Sequence, residues 1–126
     1  MKRLLLIMIL FTTYLVPAQT MEFDSQIIDY GTIEQNSNGK REFKFTNTGD
    51  KELIIKSVKG SCGCTIPSYK KEDGSIEWSS GETGIIKVRY ATNRIGKFIK
   101  NITVTTNIPG DKPIILTIKG KVIKNK

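Results

Sequence analysis

Two cysteines are the only side chains in this sequence whose type and spacing suggest special chemistry. The chain has 126 residues, two cysteines and no histidine. Both cysteines lie in the stretch SCGCT, which comprises Ser61, Cys62, Gly63, Cys64 and Thr65. Four interpretations apply to this motif: a metal site, a thiol–disulfide exchange centre, a local disulfide, and two thiols that pack a turn.

A metal site has few ligands available. Alternate residues of an extended segment point to the same side, so both sulfurs could reach one ion. A structural zinc site needs four ligands, usually Cys or His, and one chain supplies only two. Copper(I) accepts sulfur ligands, but Met21 is the only methionine beyond the N-terminal segment. No metal ligand and no cofactor are therefore predicted, and copper(I) stays an alternative.

A disulfide between the two cysteines is sterically demanding. Their Cα atoms would lie near the upper limit of bridging distance on a straight strand, and a bend at Gly63 would bring them closer. The bond would close only a small ring, and the bond itself would be easily reduced. Catalytic exchange also needs a lowered thiol pKa, and only Lys59 offers a nearby cation. The sequence favours two small thiols that pack a corner between strands.

The residue inventory excludes most catalytic arrangements. Without histidine, neither a Ser-His-Asp triad nor a Cys-His pair can form. No glycine-rich loop that could cradle phosphate is visible. We predict no catalytic residue, and we predict that the chain is not an enzyme.

The first 18 residues have the pattern of a secretory signal peptide. Lys2 and Arg3 precede the apolar run from Leu4 to Phe11, and small residues end the segment at Ala18. The apolar run is too short to span a bilayer, which takes about 20 residues. We predict a signal peptide at residues 1–18, one domain at residues 19–126, and no integral membrane span after cleavage. The chain is then exported, to the periplasm or the cell exterior.

The positive charge does not indicate a nucleic-acid partner. The sequence has 20 basic and 12 acidic residues, but the basic residues are dispersed. In IIKVRY and IKGKVIK they occupy alternate positions, as on the solvent face of a strand. No motif combines basic residues with aromatic stacking residues. We predict no nucleic-acid binding.

Short alternating runs predict an antiparallel β-sandwich of about seven to eight strands. Runs such as REFKFTN, IIKVRYA and PIILTIKGKVIK alternate apolar with polar residues, and turn residues fill the gaps. One run is irregular: Phe98, Ile102 and Val104 share a phase that places Lys100 inward. A bulge, or a lysine whose stem reaches past the core to solvent, would explain it.

The succession FDSQIIDYGTIEQNSNGKREFKFTNTGDKELIIKSVKGSCGCTIP, followed by GETGIIKVRYATNRIGKFIKNITVTTN, resembles an exported bacterial family frequent in Bacteroidota. This family is called domain of unknown function 1573, and SCGCT after FTNTG is the most specific part of the match. It is similar to immunoglobulin-like sandwiches of the major-sperm-protein and PapD-chaperone type, including abnormal-spindle and hydin domains. The resemblance implies an all-β, immunoglobulin-like fold. It assigns no activity and no role to the five motif residues.

These features together predict a non-catalytic binding or scaffold module of the cell envelope, acting through protein–protein interaction. An unknown envelope protein could pair with an exposed edge strand, for instance the segment that begins at Thr65. The alternative is a small thiol-redox or copper(I)-binding module that uses the turn at Cys62, Gly63 and Cys64.

Overall fold

A computed structural model describes residues 20–110 and 112–125 of the chain. The predicted signal peptide, residues 1–18, lies outside the described residues. Nine strands occur in the part described, with no helix and therefore none that could cross a membrane. The strands are β1 (Met21–Phe23), β2 (Ile27–Glu34), β3 (Lys40–Asn47), β4 (Leu53–Gly60), β5 (Thr65–Ser68), β6 (Glu77–Trp78), β7 (Thr83–Tyr90), β8 (Gly96–Thr106) and β9 (Ile114–Ile123).

The strands form two sheets, which confirms the all-β sandwich. The first sheet has the order β1-β3-β7-β5, and the second has the order β2-β9-β8-β4-β6. Two very short strands, β1 and β6, raise the count to nine. All pairs are antiparallel except β2 with β9, which run parallel. Residue alternation shows that a strand has a buried face, but it does not show the direction of the neighbouring strand.

The alternation in β7 shows how the core forms. Ile86, Val88 and Tyr90 are buried, whereas Lys87 and Arg89 between them are exposed. The other long strands contribute buried residues from both sheets, so the apolar surface of each sheet is covered by the other. The predicted outward position of the alternating basic residues is confirmed here.

No bulge explains the inward phase of Lys100. The β8–β9 register is continuous from Gly96 to Val104, and Lys100 lies opposite Ile118. Its side chain is partly buried. The interpretation that agrees with the structure is the second one, in which the apolar stem of the lysine covers the core at its rim.

An aromatic cluster closes one end of the core. The ring of Tyr30 lies edge-on to Phe98 and Tyr90, with centroids 5.3 and 6.4 Å away. The Tyr30 hydroxyl donates to the Gly39 carbonyl at 2.8 Å. Burial raises the pKa of Tyr30 to about 12, although the nearby Arg41 guanidinium acts in the opposite direction. This cluster supports the turn between β2 and β3.

A buried amide organises the opposite end. Asn47 is fully buried, and its Nδ2 donates to the carbonyls of Lys51 and Trp78 at 2.8 and 2.9 Å. Its Oδ1 accepts the Gly49 N–H at 3.1 Å. Its backbone N–H donates to the Glu82 carbonyl. One side chain thus ties the end of β3 to the following turn and to β6.

Candidate functional site

The SCGCT turn carries the chain from the second sheet to the first. It begins after Gly60, the last residue of β4, and ends at Thr65, the first residue of β5. The Ser61 N–H donates to the Asn101 carbonyl at 2.9 Å, and Ser61 Oγ accepts the Asn101 N–H at 3.2 Å. The start of the turn is therefore anchored to β8.

The end of the turn is held by two further backbone bonds. Thr65 N–H donates to the Cys62 carbonyl at 3.2 Å, which closes the turn on itself. Ala91 N–H donates to the Cys64 carbonyl at 2.8 Å, which continues the pairing of β5 with β7. The turn is thus fixed at both ends by bonds that do not involve sulfur.

Cys62 and Cys64 are joined in a disulfide, with their Cα atoms 5.3 Å apart. The structure therefore has the local bridge, and the favoured interpretation with two free thiols is wrong. The expected corner is present, since Cys64 is buried and Cys62 is partly buried. The Thr65 hydroxyl lies 3.9 and 3.8 Å from the two sulfurs.

The glycine that this turn requires is Gly60 and not Gly63. The backbone of Gly63 is outside the left-handed region, and a Cβ there would meet no atom within 4 Å. A Cβ on Gly60 would overlap the Thr65 carbonyl oxygen. Gly60 is needed because β4 and β5 approach each other closely there, which no local sequence pattern signals.

Two adjoining cavities beside the disulfide form the candidate binding site. One cavity, of about 460 Å³, is lined by residues 36–40 and 89–93, Cys64 and Ile66. The other, of about 330 Å³, continues along the outer side of β7 and shares Lys40, Ile66 and Arg89 with the first. We call the two together the β7 groove. Cys64 places the end of the SCGCT turn in its wall.

The walls of the β7 groove are held by hydrogen bonds between distant segments. The Thr92 hydroxyl donates to the Ser37 carbonyl at 2.6 Å, and Asn36 N–H donates to the Thr92 carbonyl at 3.1 Å. Gln35 Nε2 donates to the Asn93 carbonyl at 3.2 Å. A groove whose walls are already ordered loses less conformational entropy when a ligand binds.

Two cations lie side by side on the floor of the β7 groove. Lys40 is directly opposite Arg89 in the β3–β7 pair, and Arg89 is directly opposite Ile66 in the β5–β7 pair. Like charges directly opposite each other destabilise a sheet. Within residues 20–110 and 112–125, neither cation forms an ion pair with a carboxylate; the ion pair found there joins Lys71 to Glu82. This position suits an anionic group.

The groove lining contains lysine, arginine, amide, hydroxyl and aliphatic side chains and one carboxylate, that of Glu42. Glu42 and the Ser68 hydroxyl lie on opposite sides of β7, so they do not form a pair of a nucleophile with a general base. In the described part of the chain, no three His, Cys, Asp or Glu side chains come together as metal ligands would. The chemistry that this lining supplies is electrostatic attraction and hydrogen bonding.

The edge of β5 is a poor template for an added strand. The hydrogen bond from Ala91 N–H to the Cys64 carbonyl shows which residues of β5 bond to β7. In this pattern Thr65 and Pro67 direct their backbone groups away from β7. Thr65 N–H already donates to the Cys62 carbonyl, and proline has no N–H. This edge therefore offers carbonyls and no free donor, which differs from the pairing predicted for the segment at Thr65.

Local side-chain hydrogen bonds interrupt the edge of β2. Ser25 Oγ accepts the Ile27 N–H at 3.2 Å and donates to the Ile27 carbonyl at 2.7 Å. Asp29 Oδ1 accepts the Gly31 N–H at 2.8 Å, where the strand register shifts. Local bonds and a bulge protect a sheet edge from pairing with other chains.

Replacing both Cys62 and Cys64 by serine is expected to lower the free energy of unfolding by about 1.5 kcal/mol, because the closed loop is only three residues long. The backbone bonds to Asn101 and Ala91 hold the turn without it. Urea denaturation of the double variant, and of the unaltered protein with and without reductant, measures this. Unfolding on addition of reductant alone would show instead that the bridge is essential to the fold.

The fold is similar to that of several solved structures. A protein of unknown function from Porphyromonas gingivalis aligns with a TM-score of 0.70 and 16% identity, over 88% of this chain and 51% of that chain. This chain thus spans about half the length of that relative. The ASH/PapD-like domain 7 of human CEP192 aligns with a TM-score of 0.63 and 13% identity, over 87% of this chain and 89% of that chain.

A chaperone–tip adhesion subunit complex, CsuC–CsuE from Acinetobacter baumannii pili, aligns with a TM-score of 0.56 and 11% identity, over 82% of this chain and 57% of that chain. At these identities the likeness shows the fold alone. Among curated proteins, none matches this sequence significantly. The model of one protein family matches residues 21–122, which include the whole sandwich up to the penultimate residue of β9. The chain belongs to this family, described as protein of unknown function DUF1573.

Proposed function

We propose that this chain is a non-catalytic module that binds another protein through the β7 groove. The observation that carries the proposal is the row formed by Lys40, Arg89 and Ile66 on neighbouring strands. Two cations without a carboxylate partner among the described residues lie beside an isoleucine that is 61% exposed. Such a row has no role in packing the core, and it is complementary to an anionic and partly apolar surface.

The fold supports a binding role without specifying it. One structural neighbour is a complex between a chaperone and a tip adhesion subunit, so a sandwich of this general shape occurs in an assembly of two proteins. We propose that this chain also acts by holding a protein partner. Since the β5 edge offers no free donor and local bonds with a register shift interrupt the β2 edge, the contact uses the outer face of the first sheet.

We propose that the chain works outside the cytoplasm. The predicted signal peptide at residues 1–18 supports export, and a disulfide between Cys62 and Cys64 persists in an oxidising compartment. In the oxidised protein both sulfurs are bonded to each other and supply no thiolate ligand. For this reason the β7 groove, and not the sulfur pair, is the proposed site.

Photo-cross-linking in intact cells of the source organism tests the proposal. A benzophenone side chain at position 68 would lie in the β7 groove, because Ser68 lines it. A second probe replaces Ile99, which is 71% exposed on the outer face of the second sheet. We expect a discrete cross-linked protein from position 68 and none of the same mass from position 99.

The charge of the groove provides the control for this experiment. Arg89→Glu should abolish the adduct formed from position 68, because it reverses the central charge of the groove. Because Arg89 is exposed, its replacement should leave the fold intact, and circular dichroism checks that the variant is folded. The same adducts from both probe positions, or an adduct that persists in Arg89→Glu, would refute binding at this groove.

A further inference from the structure

We infer that the ligand of the β7 groove is an acidic, extended segment of a polypeptide. In this arrangement a ligand carboxylate lies between Lys40 and Arg89, and an aliphatic ligand side chain packs on Ile66. The inference rests on the proposed function and assigns the chemical class of the partner.

The two cations determine the sign of the ligand. Lys40 and Arg89 are directly opposite on the outer face, so each raises the electrostatic energy of the other. The charged residues nearest on the same face are Glu42 and Lys87, which are opposite each other in the next row. A carboxylate between Lys40 and Arg89 would remove the repulsion, and the planar guanidinium can bind it with two parallel hydrogen bonds.

The neighbouring isoleucine determines the second feature of the ligand. Ile66 is opposite Arg89, on the side away from Lys40, and is 61% exposed. Adjacent strands are about 4.8 Å apart, so the row from Lys40 to Ile66 extends over about 10 Å. A ligand that has a carboxylate on one residue and an aliphatic side chain on a residue close by can contact both ends of this row.

The shape of the groove favours a single extended segment. Its floor runs along β7 and the residues that follow, and from Lys87 to Ala91 this distance is about 14 Å, the length of four to five extended residues. The walls are the turn that includes Asn38 on one side and β5 on the other. A flat lipid surface cannot follow such a concave floor.

The lining distinguishes a polypeptide from a saccharide or a nucleic acid. Saccharides and bases bind proteins largely by stacking on exposed aromatic rings. The aromatic residue in the lining of the β7 groove is Tyr90, and it is only 4% exposed. Apolar contact in the groove comes instead from Ile66, which suits an aliphatic side chain.

Fluorescence anisotropy with short labelled peptides tests the inference. The probe is a blocked five-residue peptide that alternates glutamate with valine. The comparison peptides replace either every glutamate by glutamine or every valine by glycine. We expect the glutamate–valine peptide to bind, the glutamine peptide to bind at least about tenfold more weakly, and the glycine peptide to bind with intermediate affinity. Affinity should fall as salt is raised, because exposed charges are screened.

Single variants of the full chain locate the site. Arg89→Gln and Lys40→Gln should each weaken binding of the glutamate–valine peptide by about tenfold, and Ile66→Ser by about threefold. The matched control is Lys97→Gln, which removes an exposed lysine from the other sheet and should leave the affinity unchanged. Equal losses for Lys97→Gln and Arg89→Gln would mean non-specific charge attraction and would overturn the inference.

Two other probes test the competing partner classes. Vesicles that contain anionic phospholipid, and an acidic polysaccharide such as polygalacturonate, should show no dependence of binding on Arg89. If either binds through Arg89 more tightly than the peptide does, the polypeptide assignment is wrong. An Arg89-dependent cross-link at position 68, combined with no peptide binding, would refute this inference alone. Loss of the cross-link as well would refute the proposed function.

Discussion

Replacing Asn47 by alanine is expected to lower the free energy of unfolding by about 4 kcal/mol, because two buried backbone groups and a third, partly buried one lose their partners at once. These groups are the carbonyls of Lys51 and Trp78 and the N–H of Gly49. Asn47 is fully buried, so water cannot replace the amide without opening the sandwich. Since domains of this size are stable by only about 5–15 kcal/mol, this loss is a large part of the total stability. Urea denaturation followed by Trp78 fluorescence measures the loss.

Asn107, which follows β8 in the second sheet, offers a matched control. Its Nδ2 donates to the Glu52 carbonyl at 3.0 Å, and its Oδ1 accepts the Ile54 N–H at 2.9 Å. The side chain is partly exposed, so water can reach the groups that an alanine would leave. Asn107→Ala should therefore cost about 1 kcal/mol. Similar losses in the two variants would contradict the role assigned to burial at Asn47.

An aspartate at position 47 separates hydrogen bonding from shape. Asn47→Asp keeps the volume but directs a carboxylate at two carbonyl oxygens, and burial raises the pKa of such a group. The folded state then binds a proton more tightly than the unfolded state, so the variant loses stability as pH rises from about 4. Relative to the unaltered protein, Asn47→Asp should be least stable at neutral pH and should recover as the pH is lowered.

The sandwich itself was predictable because burial has a simple signature in a strand. In β7 and β9 the apolar residues alternate with lysine, arginine or threonine, and the structure buries one set and exposes the other. Any strand pairing that buries one face of the sheet must place Ile86 and Val88 in the core. The basic residues between them are consequently outside, where the sequence placed them.

The candidate site was not predictable, because it combines residues that are distant in the sequence. Lys40, Ile66 and Arg89 meet only because β3 and β5 pair with β7 in one register. A shift by a single residue would move each of them to the other face. Neither composition nor spacing determines that register, so the charge count indicated a basic protein but not two adjacent cations.

The disulfide was not the favoured interpretation of the sequence, for a similar reason. A spacing of two residues permits a bridge only if the backbone bends enough, and the 5.3 Å between Cα atoms depends on how β4 leads into β5. That path is set by the bonds of Ser61 to Asn101 and of Cys64 to Ala91. The sequence indicated an unusual turn, and tertiary contacts determine its chemistry.

Replacing Gly60 by alanine is expected to lower the free energy of unfolding by about 3 kcal/mol, at the upper end of the cost of overpacking. The added Cβ would overlap the carbonyl oxygen of Thr65. This is a backbone atom and cannot rotate away, so β4 and β5 must separate. Because β5 carries Ile66, the same variant should also weaken binding of the glutamate–valine peptide. Urea denaturation and anisotropy on one protein preparation measure both effects.

Gly63 is the matched position, three residues further along and inside the disulfide ring. Nothing lies within 4 Å of a Cβ placed there, and its backbone conformation suits an ordinary residue. Gly63→Ala should change stability by less than about 1 kcal/mol and could raise it, since alanine restricts the unfolded chain. Peptide affinity should be unchanged. If Gly63→Ala is the more damaging of the two, the conformation of the small ring matters more than the approach of the two sheets. The position of β5, and with it the β7 groove, would then depend on the disulfide.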